Sequence, residues 1–226
     1  MIHAVLFDLD DTLYAQSDWL SGAWESVAAA APPDVDSATL LVELRAIAAE
    51  GSAKGGIIDR ALDRVAPGTY AAPLVAAFKA HRSDRLELYP GVRDRLEQLR
   101  RYVPIGLVTD GDPVLQRDKV RALDLTNAFD VLTYSDVFGR SCRKPHPLPF
   151  ETTLGHLEVS AKDAVMVGDR PSKDIDGASR LGMRAIRVLT GEYAADPDQV
   201  VPWFSCASAA DAIDSLLLEV GARTPV

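Results

Sequence analysis

Cysteine is scarce in this chain of 226 residues, and long apolar runs are missing. The two cysteines, Cys142 and Cys206, form neither a Cys-x-x-Cys pair nor a Cys/His spacing, which argues against a disulfide scaffold and against a structural zinc site. The first apolar run, residues 4–7, ends at Asp8 and is too short for a signal-peptide core or a membrane span. We therefore predict a cytoplasmic protein.

Positive charge is also in deficit. The chain has 24 Lys and Arg residues against 33 Asp and Glu residues, which gives a formal net charge of −9. Such a protein has no general attraction for nucleic acid or for an anionic membrane, so we expect neither as a partner. Any anion that it binds must be held by a local group of donors and cations.

Short apolar runs that end at polar residues predict the buried strands of a parallel sheet. Three runs stand out and two more bring the sheet to about five strands: residues 4–7, 105–108 and 164–167, then 129–133 and 185–189. Segments with helical spacing follow them, and a last amphipathic helix is predicted over residues 208–220. This alternation predicts an α/β fold, a layered sandwich of helices and a parallel sheet.

The pattern changes between residues 19 and 83, where apolar spacing predicts four consecutive helices without strands. Turn signals lie inside this stretch at Gly55-Gly56 and beyond it at Tyr89-Pro90-Gly91. We interpret residues 16–87 as an all-helical inserted domain, and residues 1–15 together with 88–226 as the second domain.

Polar residues follow three of the predicted strands, at the edge where open α/β sheets bind ligands. Asp8 and Asp10 point to the same side of an extended chain, so their carboxylates repel each other and favour a divalent cation. Thr109, Asp110 and Gly111 follow the second strand, where a hydroxyl and backbone N–H groups at a helix start suit a phosphate. Turn capping and ordinary helix-start preferences explain the same residues without a ligand.

Two further groups complete the pattern. Lys144 precedes a proline in a stiff loop that would fix its ammonium, although an exposed, solvated lysine is the simpler interpretation. Asp169 ends the third strand and Asp174 lies near the next helix start, where an acidic residue is common. Gly177 and Ala178 predict a close approach of that helix to the sheet. Packing alone does not require this set of polar residues at one edge.

With these residues the chain resembles the haloacid dehalogenase superfamily, specifically its phosphatases. The resemblance covers essentially the whole chain and rests on four motifs in the expected order: Asp8-Leu9-Asp10-Asp11-Thr12-Leu13, Thr109, Arg143-Lys144-Pro145, and Gly168-Asp169 with Asp174. Ninety-nine positions separate Asp10 from Thr109 but only thirty-five separate Thr109 from Lys144. The insertion thus follows the first motif, as in members whose Rossmann-like three-layer core carries a helical cap over the active site.

The resemblance implies a role for each motif. Asp8 would be the nucleophile that forms an aspartyl phosphate, and Asp10 the acid and base, with a pKa that we expect its like-charged neighbours to raise. Thr109 and Lys144 would take part in catalysis and bind phosphate together with the loop of Asp110 and Gly111. Asp110 stands where many relatives have Asn, which affects the geometry of this loop.

Mg²⁺ is the implied cofactor. Its expected ligands are Asp8, the backbone carbonyl of Asp10 and Asp169, while Asp174 either binds the ion or orients its waters or Lys144. Dehalogenases of the superfamily lack the second aspartate of the first motif, so Asp10 favours phosphate chemistry.

These features predict a magnesium-dependent phosphatase of a small phosphorylated metabolite, a sugar phosphate or a nucleotide, acting as a monomer or homodimer. A phosphotransferase or mutase, a signalling module phosphorylated on Asp8, and a binding protein without catalysis are alternatives. Candidates for substrate selection lie in the inserted domain but are more typical of turns or core aromatics: Lys54, Gly55, Gly56, Trp19 and Trp24. Three histidines lack metal-ligand spacing and are interpreted as surface or packing residues: His81, His146 and His156.

Overall fold

The computed structural model describes residues 1–51 and 54–221 of the chain. Their elements fall into two units, one formed by Met1–Gln16 with Arg85–Val226 and the other by Ser17–Asp84. The first unit combines strands and helices, whereas the described residues of the second are helical apart from turns and loops. Within the described ranges, no helix has the length and apolar character that crossing a membrane requires.

Six strands of the first unit form one parallel sheet in the order β3-β2-β1-β4-β5-β6. Their bounds are β1 Ala4–Phe7, β2 Ile105–Thr109, β3 Val131–Tyr134, β4 Ala164–Gly168, β5 Arg184–Val188 and β6 Phe204–Cys206. The central strands β1, β2 and β4 are buried along their whole length, as expected where helices cover both faces of a parallel sheet. The predicted α/β fold is confirmed.

Several details of the sheet differ from the prediction. β5 spans Arg184–Val188 and not residues 185–189. β3 begins at Val131 and not at residue 129; Phe129 lies before the strand and packs edge-on against Phe7 with ring centroids 6.1 Å apart. β6 was not predicted, since its first and last residues are only partly buried, its middle residue is exposed, and the three form no apolar run.

The helices of the first unit carry apolar faces that cover the sheet. They are α5 Val92–Leu99, α6 Pro113–Ala122, α7 Pro147–Leu157, α8 Asp176–Arg180 and α9 Ala209–Gly221. α6 begins where the Asp112 side chain accepts a hydrogen bond from Val114 N at 2.9 Å, with Pro113 in the first helical position. The core includes Leu6, Met166 and Phe150.

The close approach predicted at the start of α8 has two partners. Ala178 is buried in the core cluster with sheet residues such as Met166. Gly177 instead faces α7, because a Cβ atom there would lie 2.6 Å from Phe150 Cε2 and 3.2 Å from Pro145 Cα. The glycine therefore brings α8 against α7 and the loop of Lys144, not against the sheet.

The second unit contains the four predicted helices. They are α1 Gln16–Ala29, whose first residue belongs to the first unit, α2 Ser37–Ala48, α3 Ile57–Val65 and α4 Ala72–Ala80. Asp36 caps α2 by accepting from Thr39 N at 3.0 Å. Leu40, Leu44 and Leu74 lie in a separate apolar core of this unit.

Candidate active site

The carboxyl ends of three neighbouring strands bring their polar residues to one edge of the sheet. Asp8 follows β1, and its backbone N–H donates to Val167 O of β4 at 3.0 Å. Thr109 is the last residue of β2, and Asp169 follows β4. Asp8, Thr109 and Asp169 are all buried. Because β1 lies between β2 and β4, this edge is where an open α/β sheet is expected to bind a ligand.

Lys144 supplies a buried ammonium group at this edge. Its Nζ donates to Asp8 Oδ1 and, at 2.9 Å, to Val108 O, and it lies 2.8 Å from Asp174 Oδ1. Burial alone would lower the pKa of Lys144, but Asp174 and Asp8 outweigh it and raise that pKa, so the group stays charged. Lys144 is therefore not the exposed lysine of the simpler interpretation.

Two buried carboxylates, Asp8 and Asp174, contact this ammonium, and a third, Asp169, lies close to both of them. Asp8, Asp169 and Asp174 each offer an oxygen atom, and these atoms lie within 4.8 Å of one another. Burial, reinforced by the charge of Asp174, raises the pKa of Asp8 to about 7 although Lys144 opposes the shift. Burial and the charges of Asp8 and Asp174 also raise the pKa of Asp169 well above its ordinary value. One ammonium cannot balance three carboxylates, and a compact set of hard oxygen donors with excess negative charge fits Mg²⁺.

Local contacts hold two of these carboxylates in place. Asp174 Oδ2 accepts from Arg170 N at 3.0 Å. Gly168 makes room for it, because a Cβ atom at that position would lie 2.4 Å from Asp174 Cγ. Thr12 Oγ1 donates to Asp169 Oδ1 and accepts from Asp169 N, both at 3.1 Å. Thr12 thus has a positioning contact that its place in the first motif had not suggested.

Asp10 lies in a network of donors. Tyr14 Oη and Lys119 Nζ donate to Oδ1 at 2.6 and 2.7 Å, and Gln116 Nε2 donates to Oδ2 at 2.8 Å. Burial raises the pKa of Asp10, but Lys119 and these hydrogen bonds outweigh burial and lower the pKa below its ordinary value. The expectation that like-charged neighbours would raise the pKa of Asp10 is wrong, because the ammonium of Lys119 contacts the Asp10 carboxylate and stabilises its charge.

The Asp110 side chain, in the loop after β2, pairs with groups of the protein. Asp110 Oδ1 accepts from Ser135 Oγ at 2.7 Å and from Lys144 N at 3.1 Å, and Oδ2 lies 2.8 Å from Lys173 Nζ. Burial opposes ionisation, but Lys144 and Lys173 lower the pKa of Asp110. An ionised carboxylate repels phosphate, so Asp110 would contribute its backbone N–H group to a phosphate site, as would Gly111, and not its side chain.

Sequence reasoning missed the partners of Asp10. Lys119 occupies the helical register of Leu115 and Leu123, where an apolar residue is expected, and Gln116 lies three positions before it on the same face. This lysine at an apolar position of the helix was the sequence signal that could have indicated a buried, paired ammonium group. Tyr14, four positions after Asp10, carried no comparable signal.

The substrate-selection candidates of the second unit lie in its core or in a turn. Phe78 packs against Trp19 and Trp24, with ring centroids 5.4 and 5.0 Å apart. Lys54 is exposed and lies 3.4 Å from Glu50, and Gly55 and Gly56 have positive φ angles of 62° and 59°, as in a turn.

The histidines have packing or surface positions, as interpreted from the sequence. His81 stacks edge-on against Trp19 and hydrogen-bonds Ser26. His146 caps α7, and His146 and His156 are both exposed.

A family model described as haloacid dehalogenase-like hydrolase matches residues 2–182. The chain belongs to this family. Among relatives of this hydrolase, the glyceraldehyde 3-phosphate phosphatase of Methanopyrus kandleri is 34% identical over 203 residues, which cover 85% of this chain and 86% of that protein. The phosphoserine phosphatase of Thermus thermophilus is 37% identical over 126 residues, 55% of this chain and 49% of that protein. The predicted class, a phosphatase of the haloacid dehalogenase superfamily, is confirmed.

A solved structure supports the fold assignment of the hydrolase. The 2-haloacid dehalogenase of Pseudomonas syringae superposes with a TM-score of 0.64 at 28% identity, and the match covers 99% of each chain.

Proposed function

We propose that the protein is a magnesium-dependent phosphatase that hydrolyses a small phosphorylated metabolite through an aspartyl phosphate on Asp8. The observation that carries the proposal is the buried cluster of Asp8, Asp169 and Asp174, two of which, Asp8 and Asp174, pair with the Lys144 ammonium. A nucleophilic carboxylate next to a fixed cation is suited to attack an anionic phosphoryl group, which would otherwise repel it.

In the first half-reaction, one Asp8 oxygen forms a bond to phosphorus as the bond from phosphorus to the leaving oxygen breaks. Lys144 neutralises charge on Asp8 and on the phosphoryl oxygens. The Thr109 hydroxyl and the N–H groups of Asp110 and Gly111 donate to the same oxygens. Asp10 carries a proton when the cycle begins, a state that the negative charge of the bound phosphate favours against the donors that lower its pKa, and it gives this proton to the leaving oxygen. In the second half-reaction it takes a proton from the water that attacks phosphorus as the Asp8–phosphorus bond breaks.

Mg²⁺ fits the buried carboxylates. Asp8, Asp169 and the backbone carbonyl of Asp10 would hold it, and Asp174, already paired with Lys144, would bind the ion or orient its waters and Lys144. When bound, Mg²⁺ would neutralise the carboxylates and the charge of the phosphate.

The substrate class follows from the relatives and from Asp10. Glyceraldehyde 3-phosphate and phosphoserine, the substrates in the names of the relatives, are alkyl phosphomonoesters, so we infer a sugar phosphate or a compound of similar size, with a nucleotide as the other class. We further propose that the helical unit selects the substrate and shelters the reaction from water. Asp10 favours this chemistry over dehalogenation, because displacement of an alcohol requires a proton donor and displacement of a halide does not.

The test is release of inorganic phosphate from a panel of phosphorylated metabolites, with 2-chloropropionate included and chloride measured. We expect phosphate release that EDTA abolishes and added Mg²⁺ restores. Asp8→Asn is expected to lower kcat at least about a thousandfold, because the nucleophile is lost. Asp94→Asn, an exposed aspartate of α5, is the matched control and should leave kcat unchanged.

Three results would contradict the proposal. They are chloride release without phosphate release, full activity in Asp8→Asn, and conversion of a sugar phosphate into its isomer with no phosphate released. The last result would instead identify a mutase.

A further inference from the structure

α6 has three buried polar residues, of which Asp118 pairs with Arg121 of the same helix, whereas Gln116 and Lys119 contact a residue outside it. Gln116 and Lys119 are 2% and 3% exposed, and their spacing of three positions places them on one face of the helix. A buried ammonium or amide is costly unless it is paired, whereas an apolar side chain would cover the sheet without that cost. The contact of Gln116 and Lys119 with the Asp10 carboxylate therefore explains why they are buried.

Both side chains contact Asp10, and they contact different oxygens. Lys119 Nζ and Tyr14 Oη donate to Oδ1, while Gln116 Nε2 donates to Oδ2. Oδ1 thus accepts two hydrogen bonds from this network and Oδ2 accepts one. The contacts of Lys119 and Tyr14 remain available when Oδ2 carries a proton, so the network holds the carboxyl group in one orientation in both protonation states.

The Gln116 amide also joins Asp10 to Thr109. Its Nε2 donates to Thr109 Oγ1 at 2.6 Å, and an amide nitrogen has two hydrogens, so both contacts can form together. Because Thr109 Oγ1 accepts from Gln116, its own hydrogen is directed to another acceptor, and a phosphoryl oxygen is a suitable one. Gly111 leaves space for this arrangement, since a Cβ atom there would lie 3.3 Å from the Gln116 side chain.

We propose that Gln116 and Lys119 are positioning residues that hold the Asp10 carboxyl group so that Oδ2 exchanges the proton with the leaving oxygen. This inference rests on the proposed phosphatase function. In the first half-reaction, the O–H bond at Oδ2 breaks as the bond from phosphorus to the leaving oxygen breaks, and the proton forms the product alcohol. In the second, the attacking water returns a proton to Oδ2 as its oxygen bonds to phosphorus and the Asp8–phosphorus bond breaks.

The test uses two substrates that differ in their need for a proton. Nitrophenolate leaves from p-nitrophenyl phosphate as a stable anion, whereas an alkoxide requires protonation. Gln116→Met and Lys119→Met keep nearly the length of the side chain and remove its donors. We expect each to lower kcat about 10- to 100-fold on the alkyl phosphomonoester that the panel shows to be hydrolysed fastest, and less than about threefold on p-nitrophenyl phosphate. KM should change less than about twofold, because the positioning acts on proton transfer.

Controls separate positioning from a general loss of structure. Asp10→Asn gives the largest difference expected between the kcat losses on the two substrates, because it removes the proton donor itself. Val120→Ala removes buried apolar volume from α6 and should leave the ratio of the two kcat values unchanged. That ratio does not depend on the folded fraction of a preparation. Gln116→Met removes no charge, so it carries the test alone if Lys119→Met fails to fold.

The outcomes distinguish this inference from the function on which it rests. Equal losses on both substrates, or no loss in a folded variant, would overturn the positioning role while Asp8→Asn remained inactive. A wild-type enzyme that hydrolyses neither substrate would overturn the proposed function and this inference with it.

Discussion

Gly168 shows how one missing side chain shapes the site. A Cβ atom there would lie 2.4 Å from Asp174 Cγ and 2.5 Å from its Oδ2, well inside van der Waals contact. We expect Gly168→Ala to displace Asp174 from Lys144 and to lower the free energy of unfolding by about 1–3 kcal/mol through overpacking. Urea unfolding and phosphatase assays on the same preparation measure both effects.

Gly155 of α7 provides the matched control for this substitution. A Cβ atom at Gly155 would meet nothing within 4 Å. Gly155→Ala should therefore raise the free energy of unfolding by about 0.5–1 kcal/mol, since alanine is the better helix former, and leave activity intact. Unchanged stability and activity in Gly168→Ala would show that β4 shifts to accommodate the methyl group, contrary to our expectation.

At the residue scale, the sequence predicts which polar residues lie at the ends of strands. It does not predict which residues of distant segments contact them. Asp8 and Asp169 follow apolar runs, and neighbouring parallel strands bring such residues to one edge. The contact of Lys119 with Asp10 joins residues 109 positions apart, and although the apolar register of Lys119 indicates burial, it does not identify the partner. The predicted direction of the Asp10 pKa was therefore wrong, because only the nearby acidic residues were visible in the sequence.

At the scale of elements, Asp110 connects four segments: its own loop after β2, the segment of Ser135 after β3, the loop of Lys144 before α7, and the π-helix Pro171–Ile175 after β4. Asp110→Asn retains an oxygen for Ser135 and Lys144 N but loses the ion pair with Lys173. The side chains of this pair are 11% and 23% exposed, so solvent screens their attraction only in part. We expect a double-mutant cycle of Asp110→Asn and Lys173→Met in urea unfolding to give a coupling energy of about 1 kcal/mol.

The exposed pair of Arg85 and Glu87 serves as the control for this cycle. Its side chains are 80% and 73% exposed, so Arg85→Met and Glu87→Gln should be additive. Additive effects of the Asp110 and Lys173 variants would show that each contributes through other neighbours, and that the ion pair does not connect the segments.

The elements that could be predicted are those whose apolar residues form a continuous run or recur at a regular spacing. The bounds of β1 and α5 agree with their apolar runs, because each has a continuous or evenly spaced set of buried residues. β6 escaped prediction because it has three residues, of which the middle one is exposed. Its place in the sheet comes from pairing with β5 and from the contact of Trp203 N with Ala185 O at 2.7 Å, and neither leaves a pattern in the local sequence.

At the scale of the whole molecule, each unit has an apolar core of its own. Leu6, Phe150 and Met166 belong to the core of the first unit, and Leu40 and Leu44 belong to that of the second. From the sequence we predict an inserted helical domain over residues 16–87, because strand-like runs are lost after the first motif. A unit with its own core can open while the other remains folded, because the apolar contacts that stabilise it are internal.

Leu44→Ala tests this independence. Leu44 is fully buried in α2, and its truncation should destabilise the second unit by about 2–5 kcal/mol. We expect hydrogen exchange followed by mass spectrometry to show faster exchange within Ser17–Asp84, while the amides of β1, β2 and β4 keep their protection. Val42→Ala, at an exposed position of the same helix, should leave both patterns unchanged. Equal acceleration in both units would mean that they unfold as one cooperative body, and the separate cores would then not define separate units of stability.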